Sequence, residues 1–399
     1  MMTTKVDTVS LENVFENSPR KAERVLYFHT PFCASRCNYC PFYKYTTAKQ
    51  SDYAELVVKQ MQNHFHLPYF QEAPFDVFFF GGGTPTVLEN HQLEAILANL
   101  TKYLSFSSDY EFTVESTVRH LDLEKLKLLK KYGVNRISLG IQAFDKETRN
   151  LLGRPADFHQ IKKLIYQIQE EGFTLNTDLM YGLPNQTLDH VKEQIEIAID
   201  FGVDNLSSYR LQLLGDTPLK KRVESGKVNL PEEKLVEEMQ LIAMETAVKG
   251  GYVHWNTKNY AKDGKECRYT RTPYGNRDMI PLGSGAGGKI GNFRCFNAPD
   301  LASFREKVNE GLFPSMMVKE VTDDLKLAQE RLKGILESMQ LDLSLFFENT
   351  GFSVDPTPLK YLENEGFLET KGEKIRLHTK GILNFQKVYT KISEGIIKI

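Results

Sequence analysis

The sequence predicts an α/β fold: a partial (β/α)6 TIM-type barrel followed by a small C-terminal winged-helix-like domain. Three observations carry that expectation. The first two-thirds of the chain alternate strand-like and helix-like segments. Six such units are visible before Leu211. From Asp323 the character changes to helices followed by a hairpin. Strands alternating with helices of about ten to fifteen residues indicate a parallel sheet of βα units, and right-handed crossovers let such a sheet curl toward a barrel. A doubly wound sheet is the alternative. In either case functional groups collect at the C-terminal ends of the strands.

Val25–Thr30 is a short apolar run of strand type, and a polar, cysteine-bearing loop comes after it. Ser51–Phe65 has helical spacing, with Leu56, Val57, Met61 and Phe65 on one face. Asp76–Phe80 reads as a buried strand running straight into Gly81-Gly82-Gly83. Gln92–Leu104 reads as helix and Tyr110–Glu115 as strand. Leu123–Tyr132 is helical, with Gly133 placed to cap it. Arg136–Gly140 is strand again, and Ile161–Glu171, Thr174–Met180, Leu188–Phe201 and Asn205–Arg210 continue the alternation. Pro231–Lys249 is a further amphipathic helix, and glycine-dense Gly275–Gly291 reads as loop.

Helices at Asp323–Met339 and Pro356–Glu365 precede a strand–turn–strand at Phe367–Leu377, and a last helix begins near Thr379. This pattern resembles a winged helix. It is not markedly basic, so a lid or packing module is expected rather than a DNA reader. The division expected is a polar segment over 1–24, a barrel with its extension over 25–315 and the C-terminal module over 316–399.

Length and composition bound the function. With 399 residues, two domains is the soft expectation. A content of 41% hydrophobic and 26% charged residues excludes a mostly disordered chain. A net charge of -2 gives no reason to expect nucleic acid or an anionic membrane as partner. No run reaches the roughly 18 apolar residues of a membrane span. The polar start, Met1–Arg24, lacks a signal-type apolar core, so a cytoplasmic protein is expected.

Chemistry concentrates at Cys33-Ala34-Ser35-Arg36-Cys37-Asn38-Tyr39-Cys40. Thiolates hold iron–sulfur clusters, and a short loop can wrap three of them around one cluster. Three ligands leave one iron open, as a catalytic centre needs. The bland alternative is a structural zinc completed by Cys267, Cys295 or a histidine. Otherwise Cys267 and Cys295 read as plain thiols. A glycine triplet after a buried strand lets backbone approach a ligand closely, although tight turns use such triplets too. Glu115 ends a strand and so belongs at the barrel mouth, or else is a solvated surface carboxylate. His29 alone reads as a structural histidine. His254 and Trp255 read equally as core or as the wall of a site.

Taken together, these motifs resemble the radical S-adenosylmethionine (SAM) superfamily, whose signature is CxxxCxxC after the first strand. More narrowly they resemble its oxygen-independent coproporphyrinogen oxidase branch. Tyr27-Phe28-His29-Thr30-Pro31-Phe32-Cys33 is similar to that branch's YxHIPFC, and Gly81-Gly82-Gly83-Thr84-Pro85-Thr86 to its GGGTPT. Ser138-Leu139-Gly140-Ile141-Gln142 resembles its SLGVQ, with Leu152-Gly153-Arg154 beyond. Asp178-Leu179-Met180-Tyr181-Gly182-Leu183-Pro184 resembles DLxYGLP. The resemblance implies a [4Fe–4S] cluster on Cys33, Cys37 and Cys40, with SAM chelating the open iron. One electron then cleaves SAM to methionine and a 5′-deoxyadenosyl radical. It further implies SAM contacts from Tyr27, Tyr39, Gly82, Gly83, Thr84, Glu115, Gln142, Arg154 and Asp178. Tyr39 is expected on the adenine, and the N–H and C=O groups of the triplet on the methionine moiety. Arg154 offers a fork for a carboxylate, or else forms a surface ion pair.

Within the branch, decarboxylating oxidases carry a further cysteine where Phe42 stands, and an N-terminal extension longer than the 26 residues before Tyr27. The heme-chaperone subgroup carries a histidine where Lys289 aligns. Cys40-Pro41-Phe42-Tyr43 and Gly285-Ala286-Gly287-Gly288 are more similar to the anaerobic heme-degrading anaerobilin synthases. The expectation is therefore an anaerobic enzyme that methylates and opens heme. A heme chaperone and an oxygen-independent coproporphyrinogen III dehydrogenase are the alternatives. Expected partners are heme or a porphyrin, and an electron donor such as flavodoxin or ferredoxin. Heme is expected over the SAM site, with the Gly283–Gly288 loop at its ring edge.

Overall fold

The computed structural model describes residues 11–42, 45–47, 52–271 and 277–398. Six strands in chain order, β1 (Glu23–Thr30), β2 (Phe75–Gly82), β3 (Phe106–Ser116), β4 (Arg136–Gln142), β5 (Thr174–Tyr181) and β6 (Asn205–Arg210), pair in parallel, each with the next. Helices such as Tyr53–His64, Asn90–Tyr103, Phe158–Glu170 and Leu188–Asp200 cover the outside. These are the six βα units read from the sequence. Their alternation has a simple cause: side chains in a strand point to opposite faces. Phe28, Phe78, Phe80, Phe112, Val114 and Leu139 go outward under the helices and are buried there. Tyr27, Phe79, Glu115, Ser138, Asn176 and Asp178 share the inner face by register.

The sheet extends beyond these six strands. A hairpin of β7 (Val253–Asn256) and β8 (Asn259–Ala261) continues it past β6. On the other side β9 (Arg277–Leu282) runs parallel to β1. After it come β10 (Gly287–Ile290), β11 (Phe293–Asn297) and β12 (Ser315–Glu320), all antiparallel. The order is β12-β11-β10-β9-β1-β2-β3-β4-β5-β6-β8-β7, a curled sheet with two edges and so a partial barrel. The expectation of loop over Gly275–Gly291 is corrected, since that segment holds both β9 and β10. Glycine sits in β10 because the sheet is crowded there. A Cβ on Gly288 would lie 2.6 Å from both Cys295 Sγ and Pro281 Cδ.

Below the mouth the barrel is filled. Tyr269 stacks on Phe79 (3.8 Å between centroids) and on Tyr27 (6.0 Å). The buried pair Glu111–Arg136 (2.9 Å) closes the N-terminal end of the strands, where Arg136 also donates to the carbonyls of Lys265 and Glu266.

Helices Asp324–Glu337, Leu343–Thr350 and Pro356–Asn364, with a three-stranded sheet of Gln340–Asp342, Lys374–Leu377 and Leu368–Lys371, make the winged-helix-like part. It has its own apolar cluster around Leu332, Phe346, Leu362 and Val388. Helix Asp324–Glu337 reaches both sides of the open sheet. Glu330 pairs with Arg294 of β11 (2.5 Å), and the Glu337 carbonyl accepts from the Thr257 N–H between β7 and β8 (3.0 Å). Among the described residues no helix is long and apolar enough to cross a membrane.

Candidate functional site

Cys33 ends a two-residue strand, Phe32–Cys33, that leaves the top of β1. The loop beyond it is pinned at several points. The Asn38 N–H donates to the Leu152 carbonyl (3.0 Å), Asn38 Nδ2 to the Leu151 carbonyl (2.8 Å), and the Leu219 N–H to the Asn38 carbonyl (2.8 Å). The Cys40 N–H returns to the Cys37 carbonyl (3.3 Å). Beneath the loop lies the glycine triplet. The Gly83 N–H donates to the Thr30 carbonyl (2.7 Å) and the Thr84 N–H to the Phe32 carbonyl (2.9 Å). A Cβ on Gly83 would stand 2.3 Å from the Phe32 oxygen, which no side-chain movement could relieve. The triplet thus grips the cysteine loop backbone to backbone. The N–H groups of Gly82, Gly83 and Thr84 are all bonded within the protein.

Cys33, Cys37 and Cys40 are half-buried and line one cavity with Gly82, Gly83, Thr84 and Arg154. Burial pushes the Cys33 thiol up, against the Thr84 hydroxyl 3.8 Å from its sulfur and the charge of Arg154. Among the described residues no three His, Cys, Asp or Glu donors gather tightly enough to hold one metal ion. A zinc ion needs its donors to converge on a point. A four-iron cube presents its irons at separate corners and needs thiolates spread around it. The donor set is all thiol, and the other cysteines lie elsewhere. Cys267 donates to Glu111 Oε1 (3.4 Å) at the N-terminal end of the strands, and Cys295 is buried in β11. The three thiols fit the cluster.

The strand ends supply the remaining groups. Glu115, the penultimate residue of β3, accepts from the Gly82 N–H (3.2 Å), and a Cβ on Gly81 would meet its Oε2 at 2.8 Å. Glycine at 81 is what makes room for this carboxylate. Desolvation, with the nearby Asp178 charge, pushes Glu115 up to about 8. Asp178 in β5 is also pushed up by burial, against hydrogen bonds from Asn176, Ser207 and Ser138 and the charge of Arg154. Gln142 ends β4 with φ of 71°, a left-handed conformation rare outside glycine and common where strain serves a site. Arg154 comes after the helix Lys146–Leu152, whose end is Gly153 with φ of 72°. It donates to the Gly140 carbonyl (3.1 Å) and to Tyr39 Oη (3.0 Å), while its Nε is buried with no partner among the described residues. Above Gly140, Gln142 Nε2 and Arg154 Nη1 stand side by side.

Two of the expected SAM residues sit differently from the rest. The Tyr39 hydroxyl is engaged by Arg154, and burial pushes it up to about 12. Tyr27 lies lower on the inner face, bonded to His29 Nδ1 (2.9 Å). Sequence reasoning missed a polar ladder across the inner wall. Asn176 Nδ2 donates to Ser138 Oγ (2.8 Å) and Asp178 Oδ1 (2.9 Å), and Ser207 Oγ donates to Asn176 Oδ1 (3.1 Å). The signal was present as polar residues at alternate positions of three strands otherwise rich in leucine and isoleucine.

A second cleft, of about 480 Å³, adjoins the cysteine loop. Tyr39, Cys40 and Phe42 form one side, Tyr209 and Arg210 another, and Phe385 of the C-terminal module a third. Phe42 is 77% exposed and lines both this cleft and the cysteine cavity. Arg210 forks onto Glu233 (2.6 and 2.5 Å). The Gly283–Gly288 loop is no open rim. Ser284 and Ala286 are fully buried, and the Ser284 N–H donates to Tyr53 Oη (3.0 Å). Lys289 lies on β10 opposite Met279, below the mouth. Burial, with the Arg294 charge, pulls it down to about 8. Tyr43 falls outside the described residues.

Comparison with known proteins agrees with this geometry. The Radical SAM superfamily profile matches residues 27–198. Heme chaperone HemW of Bacillus subtilis is 31% identical over 370 residues, covering 91% of this chain and 97% of the relative. Anaerobilin synthase of Escherichia coli O157:H7 is 30% identical over 305 residues, covering 75% and 68%. The solved structure of coproporphyrinogen III oxidase (HemN) from Escherichia coli superposes with a TM-score of 0.82 at 23% identity, covering 96% of this chain and 92% of that one.

Proposed function

This chain belongs to the radical SAM superfamily, in its coproporphyrinogen oxidase-like branch, and on that premise we propose that it acts on heme without oxygen, methylating and opening the macrocycle. Its cofactors are a [4Fe–4S] cluster and SAM. In this reading Cys33, Cys37 and Cys40 hold the cluster. When bound, cluster and SAM together supply a 5′-deoxyadenosyl radical at the cost of one electron from a flavodoxin- or ferredoxin-type donor.

The protein's own groups bind and orient. Glu115 and Asp178 carry acceptors toward the SAM ammonium and ribose hydroxyls. Arg154 and Gln142 carry donors toward its carboxylate. Hydrogen bonds to charged groups contribute about 1.5–3 kcal/mol each, so these contacts fix the cofactor's pose. The aromatic walls of the adjoining cleft suit a flat macrocycle, and Lys258 at its edge suits a propionate. A reducing cytoplasm suits three thiolates and an oxygen-sensitive cluster.

One observation carries the reading. The aromatic cleft shares Tyr39, Cys40 and Phe42 with the cysteine loop, so a macrocycle in it lies beside the radical source. The alternative, a heme chaperone, is favoured by the 97% coverage of the Bacillus subtilis relative. The test is anaerobic incubation of reconstituted protein with heme, excess SAM and reductant, then mass spectrometry of the pigment. Loss of the Soret band with an open-chain, methylated tetrapyrrole is expected, and Cys33→Ala should abolish it while Cys267→Ala and Cys295→Ala keep it. Intact heme handed to an acceptor protein would favour the chaperone. Carboxyl loss from coproporphyrinogen would favour the dehydrogenase.

A further inference from the structure

One cavity, of about 660 Å³, is not at the cysteine loop. It lies between the outer helix Glu233–Lys249, with β7 beside it, and the Leu368–Leu377 hairpin of the C-terminal module. Its volume is within the range of small-molecule sites. Met244 and Lys249 come from the helix, His254 from β7, and Met339, Arg376 and His378 from the module. Imidazole and thioether are the side chains that ligate heme iron axially alongside thiolate and phenolate, and this cleft holds two of each. The His378 ring is exposed. His254 stacks on Tyr260 (4.6 Å), and its Nε2 is buried with no hydrogen-bond partner among the described residues. Of the carboxylates lining the cleft, Glu369 is taken by Lys371 (2.9 Å) and Glu245 stands on the helix. Arg376 and Lys249 carry the opposite charge at the same walls.

The two clefts share one lining residue. Ile382, on the short helix Thr379–Leu383, lines both this cavity and the one beside Cys40. A flat ligand held in the outer cleft is therefore one short helix away from the cysteine loop.

We propose that the outer cleft is a second heme site, where His378 ligates the iron axially, Met244 faces it from the other wall, and Arg376 and Lys249 take the propionates before the macrocycle passes to the inner cleft. This rests on the reading of heme as substrate, but it concerns a different place. It holds or fails apart from whether heme is consumed.

The experiment is a ferric-heme titration of the full chain, under anaerobic conditions and without cluster reconstitution, monitored at the Soret band. Wild-type protein is expected to show a low-spin, histidine-ligated component. His378→Ala should shift that component and weaken its binding at least tenfold. Val248→Trp should weaken it similarly by filling the cleft. Val248 lines the cavity and is 50% exposed, so the larger ring leaves the fold intact, which thermal melts check. A Met316→Ala control, at an exposed thioether that lines neither cleft, should leave the component unchanged. Spectra and affinities unmoved by His378→Ala overturn the proposal, whatever Val248→Trp does. A His378-dependent band on heme that SAM and reductant never consume would support this site while sinking the proposed reaction.

Discussion

Glu115 shows how a single residue is held against its own preference. An ordinary glutamate titrates near 4.3, whereas burial and Asp178 raise Glu115 to about 8. Between those values the folded protein keeps a proton that the unfolded chain releases. Stability of the ligand-free protein therefore falls as pH rises through that window. Glu115→Gln removes the titration, so its melting temperature should exceed that of wild type at pH 8 and converge with it near pH 4. The same variant should bind SAM at least tenfold more weakly, since a charge-assisted hydrogen bond is lost. Equal pH profiles for the two proteins would place the carboxylate in solvent. Arg154 makes a similar case by geometry. Its fork spans the Gly140 carbonyl and Tyr39 Oη, a span that a lysine ammonium does not reproduce. Arg154→Lys should cost roughly tenfold in SAM affinity by equilibrium binding while leaving cluster content unchanged.

At the scale of elements, the glycine triplet matters as a clamp. Gly83 packs against the Phe32 carbonyl with no room for a methyl group. Gly83→Ala should lower unfolding free energy by about 1–3 kcal/mol, as overpacking does, and reduce the iron bound on reconstitution by loosening the cysteine loop. Full iron content and unchanged urea midpoint would refute the clamp. The triplet also marks the limit of what the sequence makes legible. Its position after a buried strand was readable, because parallel strands under helices announce themselves as Asp76–Phe80 does. Its partner was not, since backbone contact between Gly83 and Phe32 leaves no trace in residue type. Likewise Cys33, Cys37 and Cys40 declare themselves by spacing. The bond from Arg154 to Tyr39 joins residues 115 apart in the chain, and only the fold brings them together. The strands β9 and β10 were hidden because Gly287 and Gly288 look like loop, while in the sheet Gly288 relieves crowding against Cys295 and Pro281.

At the scale of the whole molecule, two large apolar clusters divide the labour. One lies under the barrel's helices, the other inside the C-terminal module. The strand-end carboxylates rest on the first, and the cysteine loop on a small third cluster of Leu152, Met180, Leu183, Leu211 and Leu219, against which Tyr39 packs. The module supplies Phe385 and Gln386 to the inner cleft and His378 and Arg376 to the outer one. Division just after β12, which we propose as the domain boundary, then predicts that cofactor chemistry and macrocycle binding can be separated by mutation. Leu362 is fully buried in the second cluster. Leu362→Ala should destabilise the module by about 2–5 kcal/mol through the cavity it leaves. The barrel's core is untouched, so reduced, reconstituted protein should still cleave SAM to 5′-deoxyadenosine in the absence of heme. Heme affinity should fall, because one wall of each cleft loosens with the module. If SAM cleavage and heme binding declined together, in proportion to a single unfolding transition, the two clusters would be one cooperative unit. The tie from Glu330 to Arg294 and from Glu337 to Thr257 would then be what couples them.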